Sequence, residues 1–218
     1  MPQRDQTPPV EAVIFDYGGV LTTPVKDSIA AWLTRDRIDP ASFSRTIKAW
    51  LGRTTPDDTP MKRLEIGALT RSEFNVLLAN ELVKEDGGVV SPDELVTSLF
   101  ADLRPEPLMF DMVRDLKDAS VRVALLSNSW GTDYPRETID ELFDTIVISG
   151  EVGMRKPNPD IFLHMLDLLG LEPAQAVFID DAEPNTEGAG RLGMITVLHR
   201  DPISTREKVS QIVSNLEP

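Results

Sequence analysis

Six polar residues of the 218-residue chain lie at or just beyond the ends of short apolar runs, and together they suit phosphoryl transfer. Asp16 follows the run Ala12–Phe15, and Ser127 and Asn128 follow Val121–Leu126. Lys156 sits in the loop "GEVGMRKPNPD" after a third run, and Asp180 and Asp181 close a fourth, "AVFIDD". The set offers a carboxylate nucleophile, hydroxyl and amide donors, a cation and an acidic metal site. Positioning and charge neutralisation carry most of phosphoryl-transfer catalysis, so these residue types match its needs. Asp16 is the candidate nucleophile, attacking phosphorus to give an aspartyl phosphate that water later hydrolyses. Mg²⁺ takes oxygen ligands and keeps several waters, so Asp16 and Asp181 suffice as anchors, with Asp180 helping directly or through water. Its charge lets an anionic carboxylate meet an anionic phosphate. Lys156 would offset the remaining negative charge, Ser127 and Asn128 would hold phosphate oxygens, and the N–H groups of the Tyr17–Gly18–Gly19 turn would form an anion nest.

The elements that must position these groups are legible as alternating patterns. The runs Val121–Leu126, Asp144–Ser149, Ala176–Asp180 and Met194–Leu198 resemble the first: short, rich in β-branched residues and apolar on both faces. Such strands belong to a parallel sheet covered by helices on both sides. Helical patterns fall between and after them at Pro107–Ala119, Tyr134–Phe143, Pro159–Leu169, Pro184–Leu192 and Ser204–Leu216. Asn158 before Pro159 reads as an N-cap, and Gly170 as the helix stop. The expected fold is therefore α/β, a Rossmann-like open parallel sheet flanked by helices. Residues 24–103 differ: amphipathic stretches separated by "DP", "TTPDDTP", "DGG" and "SP" predict an all-helical cap domain inserted after the first strand. The core domain is then 11–23 plus 104–218, with 1–10 a flexible tail. In open α/β sheets ligands bind beyond the carboxyl ends of the strands, where the six residues fall.

Composition narrows the partners. Lys and Arg total 22 against 36 Asp and Glu, a formal charge of −14 that opposes binding to nucleic acid or anionic membranes. Cysteine is absent, which removes disulfides and thiolate metal sites, and two histidines make a histidine-rich zinc site a poor fit. The apolar fraction of 41% suffices for a packed core, and no run approaches the length of a membrane helix. The first residues lack a long apolar segment, so a soluble, cytoplasmic protein is expected. Trp32, Trp50 and Phe74 read as cap core, and Trp130 as either core or pocket wall. His164 reads as structural, and His199 carries only a weak functional signal. Arg35, Arg37, Lys48, Arg53, Lys62 and Arg63 read as solvated charges, with room for one to reach a ligand from the cap.

The sequence resembles the haloacid dehalogenase-like hydrolases carrying a helical cap. "FDYGGVL", "RLEIGALTRSEF", "LLSNS", "RKPNPDIF" and "FIDDAEPNTEGA" are similar to the branch containing the phosphatase domain of epoxide hydrolases. The resemblance implies Asp16 as nucleophile, Ser127 and Asn128 as phosphate-binding pair, Lys156 as phosphate lysine, and Asp181 with the Gly18 carbonyl as metal ligands. It also marks a departure, because most family phosphatases carry a second aspartate at position 18 that protonates the leaving alcohol. Losing such a group slows chemistry by about 10²–10⁴-fold and bears least on acyl or anomeric phosphates. The expected activity is a Mg²⁺-dependent hydrolase of a small phosphorylated metabolite. Two alternatives stand beside it: a metal-independent haloacid dehalogenase, whose halide leaves without a proton, and a catalytically weak phosphate- or partner-binding module.

Overall fold

The computed structural model describes residues 9–52, 54–131 and 134–213. Five parallel strands, β1 (Ala12–Phe15), β2 (Arg122–Ser127), β3 (Thr145–Ile148), β4 (Ala176–Asp180) and β5 (Ile195–Leu198), form a sheet of order β3-β2-β1-β4-β5. Side chains alternate across a strand, so each strand contributes to two cores. Val13, Phe15, Val123, Leu125, Val177 and Ile179 face one cluster, built with helices α6 (Pro107–Asp118) and α11 (Pro202–Ile212). Ala12, Ile14, Ala124, Leu126, Ala176 and Phe178 face the other, built with α9 (Pro159–Leu169) and α10 (Glu183–Arg191). This burial on both faces is why the strands read as continuous apolar runs. The sheet-side helix α7 (Arg136–Leu142) and the single turn α8 (Ser149–Val152) complete this part.

The chain leaves β1 to one side for β2 and β3, then returns to the other side for β4 and β5. The direction of crossing therefore reverses beside β1, and a crevice opens there at the carboxyl ends. Phe15 lies level with Leu125 on one neighbour and Ile179 on the other, so Asp16 emerges beside Asp180.

The helices between β1 and β2 are α1 (Val25–Arg35), α2 (Pro40–Leu51), α3 (Pro60–Glu65), α4 (Arg71–Glu81) and α5 (Leu95–Leu99). Asp39, Thr59 and Thr70 cap α2, α3 and α4 with their side chains. These helices share a separate apolar cluster in which Trp32 and Phe74 are fully buried and Trp50 nearly so, with edge-on Trp32–Phe43 and Trp50–Phe74 contacts. The two connections to the sheet are laced together: the Thr23 N–H donates to the Arg104 carbonyl at 2.8 Å, and the Glu106 N–H to Leu21 at 2.9 Å. No helix among the described residues is long and apolar enough to cross a membrane.

Several local expectations change. Asn158 occupies the N-cap position of α9 but makes no side-chain cap bond, while Gly170 does end that helix in the left-handed region. Lys62 is buried rather than solvated; its ammonium donates to the Thr55 carbonyl at 2.8 Å and to Asp57 at 3.2 Å. Most of the expected tail, Arg53 and the last residues of the final predicted helix lie outside the described residues.

Phe74→Ala should cost about 3–5 kcal/mol, because a fully buried ring leaves a cavity that a small helical cluster cannot collapse. Denaturant unfolding followed by circular dichroism measures this. A loss below ~1 kcal/mol would mean that this cluster is not a packed core.

Candidate active site

Lys156 is the centre of the site. Its ammonium is 1% exposed and makes three bonds, to Asp16 Oδ1 and Asp180 Oδ2 at 2.7 Å each and to the Leu126 carbonyl at 2.9 Å. An ammonium has three hydrogens, so each one is engaged. Burial alone would lower its pKa, but the two carboxylates outweigh burial and hold the lysine charged. The loop carrying it is clamped by Asn128, which donates to the Lys156 carbonyl at 3.0 Å and accepts the Lys156 N–H at 2.9 Å.

Asp180 is fully buried and acts as a hub. Its Oδ1 accepts the Ala182 N–H at 2.8 Å, and both its oxygens accept Asn185 Nδ2, at 3.0 and 3.1 Å. Asp181 is less buried and lies against the glycine turn. A Cβ on Gly19, whose φ is +81°, would stand 2.5 Å from Asp181 Oδ2, so only glycine fits both the backbone and the contact. Gly18 is not in the left-handed region; a Cβ there would meet Val25 Cγ2 at 3.3 Å.

One oxygen from each of Asp16, Asp180 and Asp181 falls within a 4.8 Å group. Three carboxylates against one lysine leave a net negative cluster in a buried place. Burial pushes Asp16 up to about 7; attraction to Lys156 opposes the rise, and weaker repulsions from Asp180 and from Asp181 add to it. Burial and Asp180 push Asp181 up to about 6. A hard divalent cation relieves such crowding, and an all-oxygen set suits Mg²⁺ better than a softer metal. Asp16 and Asp181, whose oxygens are the less committed, are the residues fitted to hold it; Asp180 is bound first to Lys156, Ala182 and Asn185.

The other expected contacts are partly redirected. Ser127 Oγ lies 2.9 Å from Tyr134 Oη. In the turn after Asp16, the Gly19 N–H is taken by Thr22 Oγ1 at 2.9 Å, which narrows the proposed nest to Tyr17 and Gly18. Asp16, Tyr17, Gly18, Ser127, Asn128, Lys156 and Asp181 line one cavity of about 410 Å³ together with Glu65, Phe100, Trp130 and Tyr134, whereas Asp180 is not part of its lining. The described arginines and lysines expected to reach in from the cap do not line it. Glu65 does instead, from α3, accepting Trp130 Nε1 at 3.2 Å and pairing with Arg155. Burial raises its pKa against those two partners. Trp130 is thus both wall and packing, edge-on to Phe100. His199 is structural, its Nδ1 2.8 Å from Thr205 Oγ1.

Sequence reading missed Glu65 and Tyr134. Glu65 had a faint signal, an acid among the apolar positions Met61 and Leu64 of a short helix. Tyr134 had none, because its hydroxyl reaches Ser127 only through the loop geometry; burial pushes that phenol up to about 12.

Comparison with known proteins gives the family and the fold. The family described as haloacid dehalogenase-like hydrolase matches residues 10–193. The chain is 26% identical over 218 residues to bifunctional epoxide hydrolase 2 of Sus scrofa, covering 93% of this chain but 39% of that protein. It is 27% identical to the sesquiterpene phosphatase astK of Aspergillus oryzae, covering 93% of this chain and 96% of that one. Among solved structures, a HAD family enzyme from Bacteroides thetaiotaomicron, in complex with magnesium and inorganic phosphate, superposes with a TM-score of 0.66 at 23% identity, covering 88% and 94% of the two chains.

The raised acids set the expected pH dependence. A carboxyl whose folded pKa exceeds its unfolded 3.8 favours folding most when protonated, and this contribution is lost as pH climbs through about 6 and 7. Mg²⁺ should therefore raise the melting temperature more at about pH 8 than at about pH 5, where protons compete for the same oxygens. Asp181→Asn should abolish the difference. An equal shift at both pH values, read by scanning calorimetry, would remove these carboxylates as the metal site.

Proposed function

The chain belongs to the haloacid dehalogenase-like hydrolases, and we propose that within this family it is a Mg²⁺-dependent phosphatase of a small phosphomonoester. The observation that carries the reading is the buried Lys156 bridge between Asp16 and Asp180, next to the separate, less committed carboxylate of Asp181. A structural ion pair would need one acid; here a second and a third are held close at a cost in charge repulsion that a metal and a phosphate would use.

Lys156 fixes Asp16 through Oδ1 and keeps the carboxylate oriented towards the crevice mouth. The second oxygen of Asp16 attacks phosphorus, the bond to the leaving oxygen breaks, and an aspartyl phosphate forms on this chain. Water then attacks that phosphorus and returns Asp16 as a carboxylate with inorganic phosphate released. Ser127 Oγ and the Tyr17 and Gly18 N–H groups hold the phosphoryl oxygens, while Asn128 acts mainly by fixing the Lys156 loop. Bound Mg²⁺, held by Asp16, Asp181 and the Gly18 carbonyl, would supply charge neutralisation between the carboxylate and the phosphate. No side chain at position 18 protonates the leaving oxygen, and Val25 occupies the adjoining space.

Gly18 also suits the dehalogenase reading, since a halide needs no proton. Metal dependence separates the two. Asp16→Asn should abolish phosphate release from phosphomonoesters while circular dichroism stays unchanged, and EDTA should stop the wild-type reaction. Phosphate release that survives EDTA would remove the metal requirement, and EDTA-insensitive halide release from a 2-haloacid with no phosphate release would favour the dehalogenase chemistry; substantial turnover by Asp16→Asn would exclude the covalent route.

The missing acid predicts a steep dependence of rate on leaving-group pKa across a series of aryl phosphates. Gly18→Asp alone should do little, because Val25 crowds the new side chain. Combined with Val25→Ala it should flatten the dependence and speed the poorest leaving groups, by a factor within about 10²–10⁴. A wild-type rate indifferent to leaving-group pKa, with chemistry shown to be rate-limiting, would mean that another group already donates the proton.

A further inference from the structure

Above the residues that handle the phosphoryl group, the cavity wall contains several polar side chains, and most of their polar atoms already have partners inside the protein, Asn185 Nδ2 being held by Asp180. Thr22 Oγ1 accepts the Gly19 N–H at 2.9 Å and donates to the Thr23 carbonyl at 3.0 Å. Trp130 Nε1 donates to one oxygen of Glu65 at 3.2 Å, and the other oxygen of Glu65 pairs with Arg155. The Tyr134 hydroxyl is bonded to Ser127. Arg104, on the exposed rim, turns one guanidinium nitrogen back onto the carbonyls of Ala101 and Leu103, at 2.8 Å each. What remains for a leaving group is largely apolar surface, from Tyr17, Val25, Phe100, Leu103, Pro105 and Trp130.

A sugar or nucleotide leaving group would give up water for several hydroxyls or charges and find few partners in return. An apolar ring gains by the same transfer, and the aromatic faces of Trp130 and Phe100 suit a flat one. The side of the crevice next to Gly18 points the same way, since Val25 presents a methyl where a proton donor would stand. An oxygen leaving from there does so most easily when its conjugate acid is already strong.

Resting on the phosphatase reading, we propose that the substrate is the phosphate ester of an apolar, uncharged aryl or enol-type alcohol, with Phe100 and Leu103 as specificity-determining residues. Sugar and nucleotide phosphates are disfavoured by this wall rather than by the catalytic floor.

The test compares dimethylphenyl phosphate with its bis(hydroxymethyl)phenyl counterpart, which share ring, charge and closely matched phenol acidity. The non-hydrolysable phosphonate analogue of each is titrated in parallel by calorimetry. The dimethyl ester should show at least about tenfold higher kcat/KM, in the range that small apolar differences command in a fitted pocket. Its phosphonate should bind tighter by a similar factor. Phe100→Ala should lower kcat/KM for the dimethyl ester about tenfold and leave the hydroxymethyl ester within about twofold, whereas damage to the fold would lower both alike. Leu103→Gln should narrow the preference by giving a hydroxymethyl group a partner. Equal or reversed preference in both esters and phosphonates overturns the inference, as does an equal loss for both esters in Phe100→Ala. If neither ester is hydrolysed while the dimethyl phosphonate still binds tighter, the apolar pocket stands and the phosphatase reading falls.

Discussion

One buried ammonium holds the ends of three neighbouring strands together. Lys156 bonds Asp16 after β1, Leu126 near the end of β2 and Asp180 at the end of β4. Burying a charge is costly unless it is paired and fully hydrogen-bonded, and here its three hydrogens meet those conditions. The arrangement is demanding in the opposite sense for the acids. Removing the lysine would leave three carboxylates facing each other in a desolvated crevice, so the loop that delivers Lys156 has to be placed as firmly as the strands. Asn128 does this by gripping the Lys156 main chain on both sides. A residue expected to touch ligand is thereby seen to serve the residue beside it.

The same loop also reaches the helical insertion. Arg155, adjacent to Lys156, pairs with the buried Glu65 of α3, and the Glu65 carbonyl accepts the hydroxyl of Ser149 at the start of α8. Close backbone approach accompanies these bonds: a Cβ on Gly67 would stand 2.5 Å from the Gly150 carbonyl. Helical insertion and sheet thus meet through a charge pair one residue from Lys156. Any displacement of α3 that breaks the pair exposes an arginine to the loop whose position fixes Asp16. The helical wall of the cavity and the charge placement in the core are in this way mechanically adjacent.

The sheet was legible because its strands are buried on both faces, so that β1, β2 and β4 appear as unbroken apolar runs whose polar residues mark their ends. The burial of Asp16 and Asp180 at the strand ends was signalled in the same way, since a charge at the end of such a run has few structural excuses; Lys156, in a loop, was signalled only by the sequence around it. Glu65, Tyr134 and the burial of Lys62 were not, since each depends on a contact with a distant or looped-back segment and leaves little periodic trace. Side-chain type also misled locally. Asn158 has the chemistry of a cap yet makes no cap bond.

Charge counting explains how a chain of net charge −14 can suit an anionic ligand. Charges on the surface act through water and salt, and at physiological ionic strength their reach fades over about 8 Å. The crevice is governed instead by groups withdrawn from that screening. There Asp16, Asp180 and Asp181 sum to three negative charges against one from Lys156; burial above all raises the pKa values of Asp16 and Asp181, and repulsion among the acids adds to the rise. A phosphate adds to it, so the lysine alone cannot make the floor attractive to its ligand. A divalent cation would balance the protein's own excess, and a phosphoryl group would then meet a floor near neutrality with donors arranged around it. On this argument the proposed metal requirement would be a consequence of how many carboxylates the strand ends place together, whichever alcohol occupied the apolar wall above.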